Sequence, residues 1–572
     1  MLLRRGVLFL EVFKMKEGCK KYIPFKPVEL ESRTWPCNKI ERAPTWCSVD
    51  LRDGNQALID PMNLPEKLEM FKTLCAIGIK EIEVGFPSAS ETEYEILRAL
   101  IDGGYIPDDV KIQVLVQSRE HLIRKTFEAI KGAKNVIFHF YNSTSALQRK
   151  VVFHTDKRGV TDIAVNAAKL IKQLGDEAKA DGTNIIYEYS PESFMGTETD
   201  FAADICAAVM DALGADDDNK VILNLPSTVE SSTPNLFADQ IEYFCRCLPH
   251  REHAIISLHP HNDRGTAELG MLAGAERIEG TLFGNGERTG NVDLITLALN
   301  LYTQGIDPEL DLHDINAIKD IYERTTHMHV EPRHPYSGEL VFTAFSGSHQ
   351  DAINKGEQYM KDHGGDYWEV PYLPIDPSDL GREYEPIIRI NSQSGKGGAA
   401  FVMANNFGYN LPKAMHPEFG RAVKHYCDEV GREISADEVM ELFRREYIDI
   451  HGPYSLISHK FYEENEVNDT SPKVRFEGVL RHDGDGDRKI VGKGNGPIDA
   501  FFNALATVGV TGYSFVDYSE HAISIGSDAK AVSYIHLTSP AGKQLFGVGI
   551  SHNINYASIR GILCAINRSL RK

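Results

Sequence analysis

The stretch AIISLHPHNDRGTAELGMLAGAERIEGTLFGNGERTGN, residues 254–291, decides the fold. It opens on a short apolar run, AIISLH (254–259), passes through one short helical stretch, and returns to a second such run, RIEGTLF (277–283). A strand, a helix and a strand in under forty residues is a βα unit; the first strand ends in a histidine and the second runs into the polar loop GNGERTGN.

Six more strand candidates lie upstream: CSVDL (47–51), KEIEVG (80–85), KIQVLVQ (111–117), NVIFHF (135–140), NIIYEYS (184–190) and KVILNL (220–225). The first intervening helix is the clearest. After Pro65, the residues Leu68, Phe71, Leu74 and Cys75 recur at three- and four-residue steps, and Gly78 ends the run. Eight βα units in about 250 residues predict a closed parallel (β/α)8 barrel. A doubly wound open sheet predicts a glycine-rich phosphate turn after the first strand, but that strand runs into DLRDGNQAL.

Past residue 310 the rhythm stops. Residues 1–40 are read as an N-terminal extension, 41–309 as the barrel, 310–425 as a linker subdomain, 426–465 as a helical connector, and 466–572 as a C-terminal α+β domain, with the polar EENEVNDTSPK marking the last boundary. The last segment holds an approximate repeat. VRFEGVL and RKIVGKG lead into GPIDAFFNALATVG, then AVSYIHL and KQLFGVG lead into NYASIRGILCAINRSL. Each copy ends a strand in Gly-x-Gly (Gly492 and Gly494, Gly547 and Gly549) before a helix, which suits a small-ligand or dimerisation module.

Bulk properties narrow the function. A chain of 572 residues needs more than one core, and its formal charge of −21 repels polyanions, so no nucleic-acid partner is expected. No apolar run reaches the roughly 18–20 residues of a membrane span, so no membrane is expected. Nine cysteines without a second close pair beside Cys245 and Cys247 fit free thiols in a reducing compartment rather than a zinc clip. MLLRRGVLFLEVFKMKEG lacks a cleavage site of small residues and is interrupted by Glu11. It reads as no secretory signal, with an organellar presequence or a start at Met15 left open.

Barrel active sites form at the C-terminal strand ends, and the polar residues collect there. Arg52 and Asp53 follow the first strand, His139 ends the fourth, Glu192 follows the fifth, Thr228 the sixth, His259 and His261 end the seventh, and GNGERTGN follows the eighth. Two residues apart on a strand, His259 and His261 project from one face. With Asp53 they make a two-histidine, one-carboxylate set suited to Mg²⁺, Mn²⁺, Zn²⁺ or Fe²⁺. Arg52 reads either as a structural partner of Asp53 or as the holder of an oxyanion. Glu83, inside a barrel strand, needs a partner or a task. Neither GNGERTGN nor SGKGG (394–398) satisfies a nucleotide-binding fingerprint.

The segments DLRDGNQALIDP, IEVGFPSAS, HFYNSTS, YSPESF, NLPSTVE, SLHPHNDRGT and LFGNGERTGNVDL resemble those of the 2-isopropylmalate synthases, metal-dependent aldolase-like TIM barrels. EPRHPYSGELVFTAFSGSHQDAINKG and VPYLPIDP are similar to the long form of that enzyme. The resemblance implies condensation of acetyl-CoA with 3-methyl-2-oxobutanoate, then thioester hydrolysis to 2-isopropylmalate and CoA.

It further implies that Asp53, His259, His261 and Asn291 bind the divalent ion, with Mg²⁺ ahead of Mn²⁺ or Zn²⁺ and K⁺ as an activator. Arg52 would stabilise negative charge, and His139, Thr228 and Glu83 would meet substrate. Glu192 would act as base or orient water, and His349 and Tyr372 would come from a partner subunit. A homodimer, leucine as feedback inhibitor at the C-terminal domain, and a cytoplasmic location follow, with a mitochondrial one open for a eukaryotic source.

One departure stands out. The family reads HPHNDRGTGVAAAELG where this chain reads HPHNDRGTAELG. Four residues fewer shorten the helix after the seventh strand by about 6 Å, one turn. The barrel wall is then expected to lose cover over Ile278, and Asn291 to shift. The alternatives to an active enzyme are a catalytically weakened, leucine-binding paralogue, or a homocitrate or citramalate relative.

Overall fold

A computed structural model describes residues 19–21, 24–344, 346–384, 396–432, 434–448, 450, 452–464, 473–523 and 529–571. The N-terminal stretch read for a presequence, the first residues of SGKGG and most of EENEVNDTSPK lie outside the described residues. The chain divides into two compact units. The first is Met1–Phe342 with Ile375–Glu383, and the second is Thr343–Pro374 with Tyr384–Lys572.

Eight parallel strands close the barrel of the first unit: β1 (Thr45–Ser48), β2 (Glu81–Gly85), β3 (Lys111–Gln117), β4 (Asn135–Ser143), β5 (Asn184–Glu192), β6 (Val221–Ser227), β7 (Ala254–Pro260) and β8 (Arg277–Gly280). The seam closes through β1 and β8, Thr45 opposite Arg277 to Ser48 opposite Gly280. Helices α1 (Leu64–Ala76), α2 (Glu91–Asp102), α3 (Glu120–Ala129), α4 (Lys157–Ala180), α5 (Thr199–Leu213), α6 (Pro234–Cys247), α7 (Ala267–Leu272) and α8 (Leu294–Tyr302) follow the strands in turn. On α1, Asn63 and Glu66 form a reciprocal cap, Pro65 sits in the first turn, and Met70, Phe71 and Leu74 face the core.

Two strands are shorter than the sequence suggests. β1 stops at Ser48, and Asp50–Gly54 forms a single wide helical turn. The cause is not local: the buried Asp50 carboxylate accepts the Ser48 hydroxyl at 2.8 Å and the Leu282 amide at 3.1 Å. That bond ties the end of β1 to the end of β8, where Phe283 (φ 55°) turns the chain.

The shortened helix does not open the wall, which corrects the expectation from sequence. Ile278 is fully buried, Leu258 pairs with Ile278, and His261 bridges Asn291. Removing one whole turn preserves the inward face of a helix. Gly270 then seats α7 directly on Leu258 and Phe237, where a Cβ would collide.

In the second unit, α9 (Ile315–Thr326) having closed the first, the helices are α10 (Gly347–His363), α11 (Lys396–Phe407), α12 (His416–Val430) and α13 (Ala436–Phe443). Two copies of a three-stranded meander plus helix follow: β9 (Tyr454–Glu464), β10 (Lys473–His482), β11 (Gly486–Gly494) and α14 (Pro497–Ala506), then β12 (Ser514–Ala522), β13 (Ala531–Thr538), β14 (Gln544–Ser551) and α15 (Ile554–Ser569). The sequence reading found two strands per copy and placed β9 in a helical connector. β9 is held instead by pairing along β10, a partner outside its own segment.

The Gly-x-Gly pairs let each helix lie on its strand. A Cβ at Gly549 would collide with the Ala557 carbonyl and stand 2.6 Å from the Gly561 nitrogen, both backbone atoms that cannot swing aside. Gly549→Ala is therefore expected to destabilise the second unit by about 1–3 kcal/mol, read as a lowered Tm of the full chain. An unchanged Tm would show that the helix can lift.

Candidate active site and metal centre

The strand ends of the first unit surround a cavity of about 380 Å³, within the usual range for small-molecule sites. Arg52, Asp53, His139, Glu192, Thr228, His259 and His261, all singled out from the sequence, line it. Asn291 adjoins it through its bridge to His261. His349 and Tyr372 belong to the second unit, where their rings stack with centroids 4.0 Å apart.

Asp53, His259 and His261 each present a ligand atom, all within 4.8 Å of one another, and all three residues are buried. His259 Nε2 stands 3.3 Å from Asp53 Oδ2. Among the described residues, Asp53 Oδ2, His261 Nδ1 and Asn291 Oδ1 are buried and have no hydrogen-bond partner. Native proteins seldom leave such atoms unsatisfied, and the convergent Asp53, His259 and His261 set, with Asn291 bridged to His261, has the donor chemistry that fits a divalent cation. On its other side His259 donates Nδ1–H to Glu279 Oε2 at 2.8 Å, which fixes the tautomer that frees Nε2.

The electrostatics separate the two histidines. Burial opposes a charge on His259, but Asp53 and Glu279 outweigh it and raise its pKa to about 9. Burial together with the charge of His259 lowers His261 to about 4. Burial would also raise Asp53, but Arg52 and His259 hold it far below the ordinary carboxylate range.

Arg52 lies between two carboxylates. Its Nη1 donates to Asp53 Oδ1 at 2.7 Å, and its Nε donates to Glu83. Glu83, expected to meet substrate, does not line the cavity. It is fully buried and accepts from His139 Nδ1 at 3.0 Å and Gln113 Nε2 at 2.8 Å. A carboxylate with three donors pointing inward holds Arg52 and His139 in place. At its other nitrogen, His139 Nε2 meets the Ser190 hydroxyl at 2.7 Å. Glu192 accepts from the Ser143 hydroxyl. Ser193 after it is left-handed (φ 61°), and its amide donates to Thr228 Oγ1 at 3.2 Å.

Two pairs of residues escaped the sequence reading. Gln56 and Glu287 line the cavity and bond to each other at 3.0 Å across the loops after β1 and β8. Ser190 and Asn224 line it too. The charged pair Glu287 and Arg288 within a glycine-rich loop was the available signal for the first group. For the others, positions inside apolar strands gave none.

The family model described as HMGL-like matches residues 43–321, that described as alpha-isopropylmalate synthase, post-catalytic domain-like matches 339–404, and that described as LeuA allosteric (dimerisation) domain matches 433–570. The 2-isopropylmalate synthase of Clostridium acetobutylicum is 55% identical, over 96% of this chain and 99% of its own. That of Acetoanaerobium sticklandii is 53% identical over 96% and 97%, and that of Brucella suis 54% over 96% and 99%. With relatives of that identity over nearly its whole length, the chain belongs to the 2-isopropylmalate synthase family.

Proposed function

We propose that this chain is an acyltransferase that condenses acetyl-CoA with 3-methyl-2-oxobutanoate and hydrolyses the product thioester to 2-isopropylmalate and CoA, the first committed step of leucine biosynthesis. One observation carries the reading: the ligand atoms of Asp53, His259 and His261 lie within 4.8 Å of one another in the mouth of the barrel, with Asp53 Oδ2 and His261 Nδ1 left unpartnered.

Asp53, His259, His261 and Asn291 would hold a divalent ion, Mg²⁺ in the first instance, which would supply Lewis-acid polarisation of the ketoacid carbonyl and offset the charge of its carboxylate. Glu192, at the cavity wall, takes a proton from the acetyl methyl. The resulting carbanion forms the new carbon–carbon bond to the ketone as the carbonyl π bond breaks, and the oxygen's negative charge is neutralised by the proton that Glu192 took up, which resets the base. Arg52, clamped by Asp53 and Glu83, faces that charge with a guanidinium fixed before reaction. Water then adds to the thioester, and CoA leaves as its thiol. His349 and Tyr372 are assigned to this site from a second copy, on the strength of the family resemblance.

The test is release of CoA thiol by the purified full chain with Mg²⁺ or Mn²⁺ and a series of 2-ketoacids, with and without K⁺. Fastest turnover is expected with 3-methyl-2-oxobutanoate. Faster turnover with 2-oxoglutarate or pyruvate would transfer the chain to the homocitrate or citramalate activity, and no turnover to the inactive paralogue.

For the second unit we propose a homodimeric, leucine-binding role in a cytoplasmic enzyme. A cavity of about 570 Å³ there is lined by Phe502, Tyr513, Phe515 and Tyr518, with Asp499 and Glu520 at hand for an ammonium group. Among the described residues, no helix is long and apolar enough to cross a membrane. Phe502→Ala is expected to raise the leucine concentration for half-inhibition roughly tenfold, the effect of losing one buried aromatic anchor. Unaltered inhibition would move leucine elsewhere.

A further inference from the structure

Beneath the cavity the barrel core is polar. Glu83, Glu188 and Glu279 point inward from β2, β5 and β8, all at zero exposure, around the buried guanidinium of Arg277. Arg277 donates to Glu81 Oε2 at 2.6 Å, Ser257 Oγ at 2.8 Å, Gln113 Oε1 at 2.6 Å and Glu279 Oε1 at 3.1 Å. These groups face one another inside the barrel. A different set of ligating side chains lies outside it, before β7 rather than after it. His250, Glu252 and His253 each present a ligand atom there, all within 4.8 Å of one another. From His253 to His259 the strand covers about 20 Å, so this set and the one at the barrel mouth share no residue and cannot share an ion.

The turn that carries the set is fixed by its own bonds. Leu248 and Pro249 end α6, His250 takes the left-handed conformation (φ 52°), and Arg251–His253 forms a single 3-10 turn in which the His253 amide donates to the His250 carbonyl at 2.9 Å. Residues three apart on such a turn eclipse one another. The rings of His250 and His253 accordingly stack, with centroids 5.6 Å apart and 7° between their planes. Arg251 points elsewhere, donating to the Ala254 carbonyl at 2.8 Å, the Gly274 carbonyl at 3.3 Å and Glu276 Oε2 at 2.8 Å. Those bonds pin the turn and direct its guanidinium away from the histidines. Two carboxylates adjoin the rings. Glu252 Oε1 lies 3.7 Å from His250 Nδ1, and Asp217 Oδ1, in the loop between α5 and β6, lies 3.4 Å from His253 Nε2. That loop is closed by Asp216, whose Oδ1 accepts the amides of Asp218 at 3.0 Å and Asn219 at 2.8 Å, which leaves Asp217 at its tip.

We propose that His250, Glu252 and His253 hold a divalent ion of the later first-row class, Zn²⁺, Ni²⁺ or Cu²⁺, with the Asp217 carboxylate beside it, at the end of the barrel opposite the active site. Two imidazoles and a carboxylate suit ions of that class, whereas Mg²⁺ prefers oxygen ligands alone. The side chains of His250 and Glu252 are 68% and 63% exposed, so the ion enters from solvent and completes its coordination with water. The strands that follow the two loops, β6 and β7, pair along their whole length. An ion held between the turn before β7 and the loop before β6 ties these neighbours together at their starting ends. On that face of a barrel the effect is on stability rather than on turnover, and an ion that binds the folded chain in preference to the unfolded one raises stability in proportion to its occupancy.

Equilibrium dialysis of the full chain against Zn²⁺, with the bound ion counted, tests this. In an Asp53→Asn background, which disables the site at the barrel mouth, one Zn²⁺ per chain is expected to remain, and adding His250→Asn is expected to weaken its binding by more than about 100-fold, beyond the cost of losing an outer partner. Asparagine is chosen because it tolerates the left-handed backbone of His250, so the turn is kept while the imidazole is lost. Circular dichroism checks the fold, and the rise in Tm that Zn²⁺ gives Asp53→Asn is expected to vanish with His250→Asn. Equal Zn²⁺ binding with and without His250→Asn would overturn the site. Two ions retained by Asp53→Asn, one of them lost with His250→Asn, would uphold it and remove Asp53 from the other site instead, so failure of the one reading is distinguishable from failure of the other.

Discussion

Asp53→Asn is expected to abolish detectable turnover and to weaken divalent-ion binding by more than the roughly 10–100-fold that loss of an outer partner costs. The amide keeps the shape of the side chain but removes the only anionic donor of the set, leaving two imidazoles and an amide oxygen beside the Arg52 guanidinium. Glu83 still pairs with Arg52, so the fold is expected to survive, and a circular dichroism spectrum like that of wild type separates loss of the site from loss of structure. Titration of Mn²⁺ followed by proton relaxation measures the binding. An affinity equal to wild type would remove Asp53 from the ligand set and with it the proposed chemistry.

The second large effect concerns charge in the transition state. Arg52→Lys is expected to lower kcat by about 10²–10³-fold with little change in metal affinity. A guanidinium spans Asp53 and Glu83 through separate nitrogens and still presents an edge to the cavity. A lysine ammonium is a compact point charge and cannot do all three. Because a cation remains, Glu83 is not left as an unpaired buried charge, which keeps the variant interpretable. Measured against 3-methyl-2-oxobutanoate and acetyl-CoA, a fall confined to KM would instead make Arg52 a substrate-binding group.

The barrel was legible because each strand is a short apolar or β-branched run, and the polar residues that end or follow these runs mark the mouth. His259 and His261 were legible as a pair from spacing alone. Their convergence with Asp53 was legible only through the barrel, since β1 and β7 meet in space and not in sequence. The end of β1 was hidden because Asp50 is bonded to the Leu282 amide, 232 residues away. Glu188 and Arg277 sit inside runs that read as apolar, so the polar core between them left no local trace. The first strand of the second repeat was missed for a related reason. β12 is exposed along nearly its whole length and lacks the alternating buried face that reveals a strand.

Arg277 has a consequence for how the barrel closes. β8 is only four residues long, and so is its seam partner β1. In a sheet, sliding one strand by a single residue inverts which side chains face inward. Such a slip of β8 would turn Ile278 into the ring of glutamates and thrust the Arg277 guanidinium outward among the apolar helices. Both misplacements are costly, so the ionic centre acts as a ratchet that admits one alignment of a seam too short to choose its own.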